Sequence, residues 1–398
     1  MRESWRWYGP LDKITLPEIA QTGALGIVTA LHEIPYGEVW SRAAISARKR
    51  LIADAGYGQE WVVVESLPIH ERIKRGDGDL GPLFASYRQS IANLAAEGVT
   101  TICYNFMPLI DWTRTAIYHP LKQGGTALRF DAAQCAALDV FMLEREGASE
   151  DYTNDIIARA KDWVDAATPD DKSALIDAIM AGLPGAYDRY DVPALREALN
   201  GYADIDRDAL RTNYARFLSE VIPTAQELGV KFCVHPDDPP RDIFGLPRVV
   251  SNADDIQWVF DQQEALENGL TLCSGSLGAN PANDVPAIAH RFAERIHFAH
   301  LRNVAKEPDG SFQEAAHLSG DTDMVALAHV LLTEEARRTR DATRTDTTIP
   351  WRPDHGHELL SDEGRGTHPG YPLIGRMRGL AEMRGVIAAL SHPRGHLG

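Results

Sequence analysis

No stretch of this 398-residue chain stays apolar for the ~18–20 residues that a bilayer-spanning helix requires. The N-terminal MRESWRWYGPLDKITL lacks a long apolar core and a small-residue cleavage site, so neither a secretory leader nor a membrane anchor is expected. Positive charge is short as well: 40 Lys and Arg stand against 57 Asp and Glu, for a formal net charge of −17. Nucleic acids and anionic membranes need a basic face, so neither is expected as a partner. If the substrate is an anion, a bound cation or an arginine must supply positive charge locally. Cysteine is scarce, and Cys103, Cys135, Cys233 and Cys273 are widely spaced with no CxxC pair. Reduced thiols in a cytoplasmic protein are the expectation.

What the chain does contain is alternation. Short apolar runs recur between amphipathic stretches, the pattern of βαβ units and a parallel sheet. Strands are expected at 26–31, 60–66, 99–106, 229–235, 270–275 and 295–302, with a weaker one at 348–353. Helices are expected at 41–56, 87–98, 209–229 and 252–269, several closing on glycine. Seven strands fall one short of a (β/α)8 barrel, and TALRF (126–130) is the candidate for the eighth. An open doubly wound sheet would carry a Gly-rich phosphate turn after its first strand, and ALHEIPYGEVW is not one. The fold class is therefore α/β, a TIM barrel of one domain over 1–398, with 131–208 as a helical insertion. Trp5, Trp7 and Tyr8 are expected either to pack on a partner subunit or to close the barrel floor.

Barrel enzymes work at the C-terminal ends of their strands. Those ends here read His32, His70, Asn105, His235, Cys273, His300 and Asp354. Only 14 residues are histidine, so four at strand ends is a concentration. The last four ends offer two imidazoles, a thiol and a carboxylate, ligands for one borderline divalent metal. Strand alternation puts Phe298, His300 and Arg302 on one face, with His300 and Arg302 at the mouth and His297 against the outer helices. It also puts Cys233 a layer below His235, as core filling. His355, next to Asp354 in RPDHGHELL, is placed to move a proton. His32, Asn105 and Ser276 (in CSGSLGANP) are expected to line the substrate, whereas loop residues His317 and His357 are expected to be solvated.

The stretches WRWYGPLD, GIVTALHEIPYGEVW, YNFMPLIDWTRT, VHPDDPP, TLCSGSLGANP, HFAHLRN, RPDHGHELL and GYPLIGRMRGLAEMRGV together resemble the bacterial, metal-dependent mannonate dehydratases over essentially the whole chain. The resemblance implies a xylose-isomerase-like barrel that removes water from D-mannonate to give 2-dehydro-3-deoxy-D-gluconate in hexuronate breakdown. It implies Mn²⁺ or Fe²⁺ on His235, Cys273, His300 and Asp354, and a catalytic region of Arg302, His355 and Tyr371. Which of His355 and Tyr371 is base and which acid stays open at this point. A homo-oligomer, most simply a dimer, is expected. The alternatives are a sugar isomerase of the same superfamily and a barrel that only binds a sugar acid. An isomerase of that kind uses mostly Glu and Asp ligands around two metals, unlike the His/Cys set here.

Overall fold

In the computed structural model, which describes residues 1–182 and 190–392, eight parallel strands close into a barrel with helices outside. Among the described residues twelve strands run in chain order: β1 (Arg2–Arg6), β2 (Gly26–Thr29), β3 (Glu60–Glu65), β4 (Thr101–Tyr104), β5 (Ala116–Pro120), β6 (Thr126–Phe130), β7 (Lys231–Val234), β8 (Asn268–Cys273), β9 (Ile296–Leu301), β10 (Asn303–Lys306), β11 (Phe312–Ala315) and β12 (Pro350–Pro353). Around the barrel the order is β1-β12-β9-β8-β7-β4-β3-β2, and the other four form an antiparallel sheet, β10-β11-β6-β5. The (β/α)8 architecture is the one the alternation implied.

The eighth strand is not TALRF. Gly124 and Gly125, at φ 89° and 78°, close a tight turn in which Leu121 N donates to Gly125 O. Such a turn sends the chain back antiparallel, so TALRF, as β6, pairs with β5 and cannot join a parallel barrel. The missing strand is β1, whose RESWR reads as a charged tail. Its Trp5 packs outward beneath the helices and is fully buried, as nearly is Trp7, so neither closes the floor nor faces a partner. The helix expected over 252–269 stops at Gln262, because Asn268 Nδ2 takes the carbonyls of Val259 and Gln263.

Val28, Val63, Cys103, Cys233 and Phe298 fill the barrel interior. Phe298 presents its edge to His300 one layer up, ring centroids 4.7 Å apart. Beyond the barrel, helices Asn154–Ala166, Pro169–Met180 and Val192–Asn200 bury a second apolar cluster with the antiparallel sheet, including Leu138, Leu175, Leu195 and Phe312. The connection after β9 forms the β10–β11 hairpin and helix Met324–Arg340.

One buried carboxylate anchors the last helix, Leu373–Ser391. Asp362 accepts from the backbone N–H of Leu373 and Ile374 through Oδ1 and of Gly375 through Oδ2, at 2.9–3.0 Å. It thereby satisfies three donors that a helix start leaves open. Asp362→Ala should lower stability by about 2–3 kcal/mol, read as a lower denaturation midpoint, with Asp362→Asn in between.

Candidate active site

Four strand ends converge at the mouth. His235 follows β7, Cys273 ends β8, His300 lies in β9 and Asp354 follows β12. The ligating atoms of His235, Cys273 and His300 lie within 4.8 Å of one another. Asp354 Oδ2 stands 3.7 Å from Cys273 Sγ and 3.9 Å from His300 Nδ1.

The hydrogen bonds fix which atoms face inward. His235 Nδ1 is 2.7 Å from the Pro236 carbonyl, so Nδ1 carries the proton and Nε2 a lone pair. His300 Nε2 makes no hydrogen bond but lies 3.4 Å from Glu65 Oε2, a charge that favours the proton on Nε2 and the lone pair on the inward Nδ1. Those two inward nitrogens stand 3.1 Å apart. Two lone pairs facing each other at that distance repel unless a proton or a cation sits between them. Cys273 Sγ accepts from Ser276 N (3.4 Å) and Ser276 Oγ (3.1 Å), an arrangement that suits a ligating thiolate. Donor atoms this close together, all within 4.8 Å for the two imidazoles and the thiol, can surround a single divalent ion whose bonds are about 2.0–2.3 Å.

Around it, three guanidiniums face four carboxylates. Arg352 bridges Glu65 (2.6 and 3.0 Å) and Asp354 Oδ1 (2.6 Å). Arg302 reaches Asp354 Oδ2 (2.9 Å), Asp238 Oδ2 (2.9 Å) and Glu314 Oε2 (3.2 Å). Arg114 binds Asp238 through both nitrogens and Glu314 through Nη2. Burial alone would raise the Asp354 carboxyl, but Arg352, His355, His300 and Arg302 outweigh it and hold it well below the carboxylate range. Glu314 is likewise held down to about 2, where Arg302 and His355 override its burial.

His355 Nδ1 is 3.1 Å from Glu314 Oε1, and its ring meets Tyr371 edge-on at 5.0 Å. Tyr371 O–H donates to Asp354 Oδ1 at 3.2 Å. Burial, then the Asp354 charge, pushes the Tyr371 phenol well above its ordinary range. Tyr8 stacks flat on His368 at 4.1 Å and edge-on to Tyr371 at 5.1 Å, roofing this corner.

Of the residues expected to line the substrate, His32 reaches the mouth, its Nε2 3.2 Å from Arg6 Nη2. Asn105 donates to Asp111 Oδ2 (2.9 Å), and Ser276 Oγ is held between Cys273 and Asp238. His70 caps the short helix Glu71–Arg75, its Nδ1 accepting from Arg72 N. His317 is buried, not solvated: Gly379 packs against its ring, and burial lowers its pKa to about 4. His357 is half-buried, with Nε2 3.0 Å from the Glu314 carbonyl. Sequence reasoning missed Glu65, Asp238, Glu314 and Arg114. Asp238 lies in the quoted VHPDDPP and Glu65 ends an expected strand, so both carried a signal; Glu314, in the short strand FQEA, carried none.

A family model described as D-mannonate dehydratase (UxuA) matches residues 1–395. The mannonate dehydratase of Chromohalobacter salexigens is 53% identical over 391 residues, 98% of this chain and 99% of that one. That of Saccharophagus degradans is 49% identical over 392 residues, 98% of each. The crystal structure of mannonate dehydratase from Streptococcus suis covers 100% of this chain and 97% of its own, at 32% identity and a TM-score of 0.76. A D-psicose 3-epimerase from Clostridium cellulolyticum, at 11% identity and a TM-score of 0.50 over 97% of this chain and 99% of its own, shares the fold alone.

Proposed function

The chain belongs to the D-mannonate dehydratase family, and we propose that it carries out that family's reaction with a divalent metal, Mn²⁺ or Fe²⁺, on His235, Cys273, His300 and Asp354. It is a hydro-lyase: D-mannonate loses water to give 2-dehydro-3-deoxy-D-gluconate. The observation that carries the metal reading is the pair of imidazole lone pairs 3.1 Å apart beside a thiol and a carboxylate.

The reaction removes the proton on the carbon next to the carboxylate and expels hydroxide from the following carbon. A carboxylate opposes the first step, because its own charge repels the developing carbanion. A divalent cation, when bound, supplies the positive charge that offsets it. His355 is the base in this reading: Nδ1 is turned to Glu314, so Nε2 is the nitrogen left to take a proton. Tyr371 is the acid, kept protonated by its surroundings and able to deliver its proton to the departing hydroxyl. Arg302 is paired with three carboxylates, so its part in this reading is to hold Asp354, Asp238 and Glu314 in place. Asp354, His355 and Tyr371 are all buried, which excludes bulk water from the charged intermediate.

The test is formation of the keto-deoxy acid from D-mannonate by metal-loaded enzyme; no product at full metal content overturns the reading. Glu65→Gln should weaken Mn²⁺ affinity about 10–100-fold in a direct metal titration, because Glu65 orients the His300 ring. A cytoplasmic setting belongs to the same reading and is favoured by four buried free thiols; no helix among the described residues is long and apolar enough to cross a membrane. A homodimer is also part of it, to be measured by light scattering, and it no longer draws on Trp5 or Trp7.

A further inference from the structure

The substrate is an anion, and the mouth as described holds three guanidiniums against four carboxylates. Arg114, Arg302 and Arg352 are each already paired with two or more of those carboxylates. Their charge is already matched by those carboxylates, although the Nε of Arg114 and of Arg302 makes no hydrogen bond. Arg6 differs. It ends β1, and the register pairing Arg2 with Pro350 and Glu3 with Trp351 brings Arg6 level with Asp354 on the neighbouring strand. Adjacent strands lie about 5 Å apart, so its backbone borders the metal corner. Trp5 packs outward, so alternation turns Arg6 inward.

The Arg6 side chain is only 6% exposed, yet no carboxylate lies within 4 Å of it among the described residues. Its Nη2 meets His32 Nε2 at 3.2 Å, its Cζ lies 4.5 Å over the Tyr8 ring, and its Nη1 is buried without a partner. A buried guanidinium with an unspent donor is costly unless something anionic comes to it. Tyr8 touches both Arg6 and Tyr371, which ties that donor to the reacting corner. Arg376, the other mouth arginine without a carboxylate, stacks on Trp5 and spends Nε and Nη1 on the carbonyls of Pro372 and Arg6. It props the strand end through those carbonyls; its Nη2 is likewise without a partner, so what singles out Arg6 among the described residues is its place at the mouth between His32 and Tyr8.

We propose that Arg6 is the arm that binds the substrate carboxylate, through its uncommitted Nη1. This rests on the sugar-acid reading above and narrows it to one contact. The experiment uses Arg6→Met and Arg6→Lys in a Mn²⁺-loaded Tyr371→Phe background, where turnover is slow, titrated calorimetrically with D-mannonate and with D-mannitol. The alditol has the same carbon chain and lacks the carboxylate. Arg6→Met should weaken D-mannonate binding about 30-fold or more while changing D-mannitol binding less than about threefold. Arg6→Lys, which keeps the charge but not the fork, should fall between. Equal weakening of both ligands would assign Arg6 to hydroxyl groups and overturn the proposal, as would an unchanged D-mannonate affinity. In the enzyme with Tyr371 intact, Arg6→Met should raise KM with kcat within about tenfold; a fall in kcat alone, at constant KM, marks a structural role and also overturns it. A protein that tells acid from alditol through Arg6 yet forms no keto-deoxy acid keeps this inference and sinks the reaction.

Discussion

Enzyme stripped of metal by a chelator should lose keto-deoxy acid formation from D-mannonate by at least about 10³-fold, and Mn²⁺ should restore it. Cys273→Ala should show the same loss and no recovery at the Mn²⁺ concentration that rescues the parent. The size follows from the electrostatics. Without the ion the buried corner carries three guanidiniums against four carboxylates. A second unit of negative charge building on an already anionic substrate then meets a corner whose guanidiniums, Arg6 and Arg376 apart, are already offset by carboxylates. Several kcal/mol of lost stabilisation is the ordinary consequence, and each 1.36 kcal/mol is a factor of ten. Cys273→Ala removes one donor and leaves Ser276 N and Oγ aimed at a vacated sulfur position. Metal content measured alongside activity separates the outcomes. Activity that persists in protein shown to be metal-free would end the metal reading.

The ligand set is also what separates this barrel from isomerases built on the same architecture. Two metals held by Glu and Asp call for carboxylates at several strand ends. Here the carboxylates at the mouth are spent on arginines: Glu65 on Arg352, and Asp238 and Glu314 on Arg114 and Arg302. Among the described residues Asp354 is the carboxylate that presents an oxygen to the inward nitrogen of His300 and to the thiol, and that Oδ2 is shared with Arg302. One softer ion suits such a donor set better than two hard ones.

Much of this was legible in the sequence, and for a definite reason. His235, Cys273, His300 and Asp354 each sit at or just past the end of a strand, where local patterning and barrel topology together dictate position. Alternation within HFAHLR separated His300 from His297, and the latter does lie outside the barrel, its Nε2 2.8 Å from the Leu266 carbonyl. The misses have physical causes too. β1 is five residues long with three of them charged, so it shows no apolar run; its burial comes from a barrel closed by a strand 350 residues later. TALRF has strand composition, and only the Gly124–Gly125 turn decides that it pairs antiparallel. The pairing of Glu314 with Arg114 was out of reach, because the two lie 200 residues apart and an ion pair leaves no periodicity in either segment.

His355→Asn and Tyr371→Phe should each lower kcat by about 10²–10⁴-fold, and they should differ in what survives. Asn keeps a donor for Glu314 while deleting the ring nitrogen that takes the proton, so the variant should neither form product nor exchange the C2 proton of D-mannonate with deuterium from solvent. Phe deletes only the hydroxyl that donates to the charged Asp354, and one such bond contributes about 1.5–3 kcal/mol to stability. A variant shown to be folded and fully metal-loaded at the assay temperature would therefore place its loss of turnover in the chemistry. With His355 intact, the Phe variant should still exchange the C2 proton while elimination stalls, because nothing remains to protonate the leaving hydroxyl. The assignment reverses if exchange is lost in Tyr371→Phe and kept in His355→Asn. It follows from geometry: His355 faces Glu314 and Arg302 through Nδ1, whereas Tyr371 is a phenol held between Asp354, Tyr8 and the His355 ring. A hydroxyl kept protonated by burial and then by a neighbouring carboxylate has no proton vacancy with which to act as a base, which leaves proton removal to His355 Nε2 and proton delivery to Tyr371.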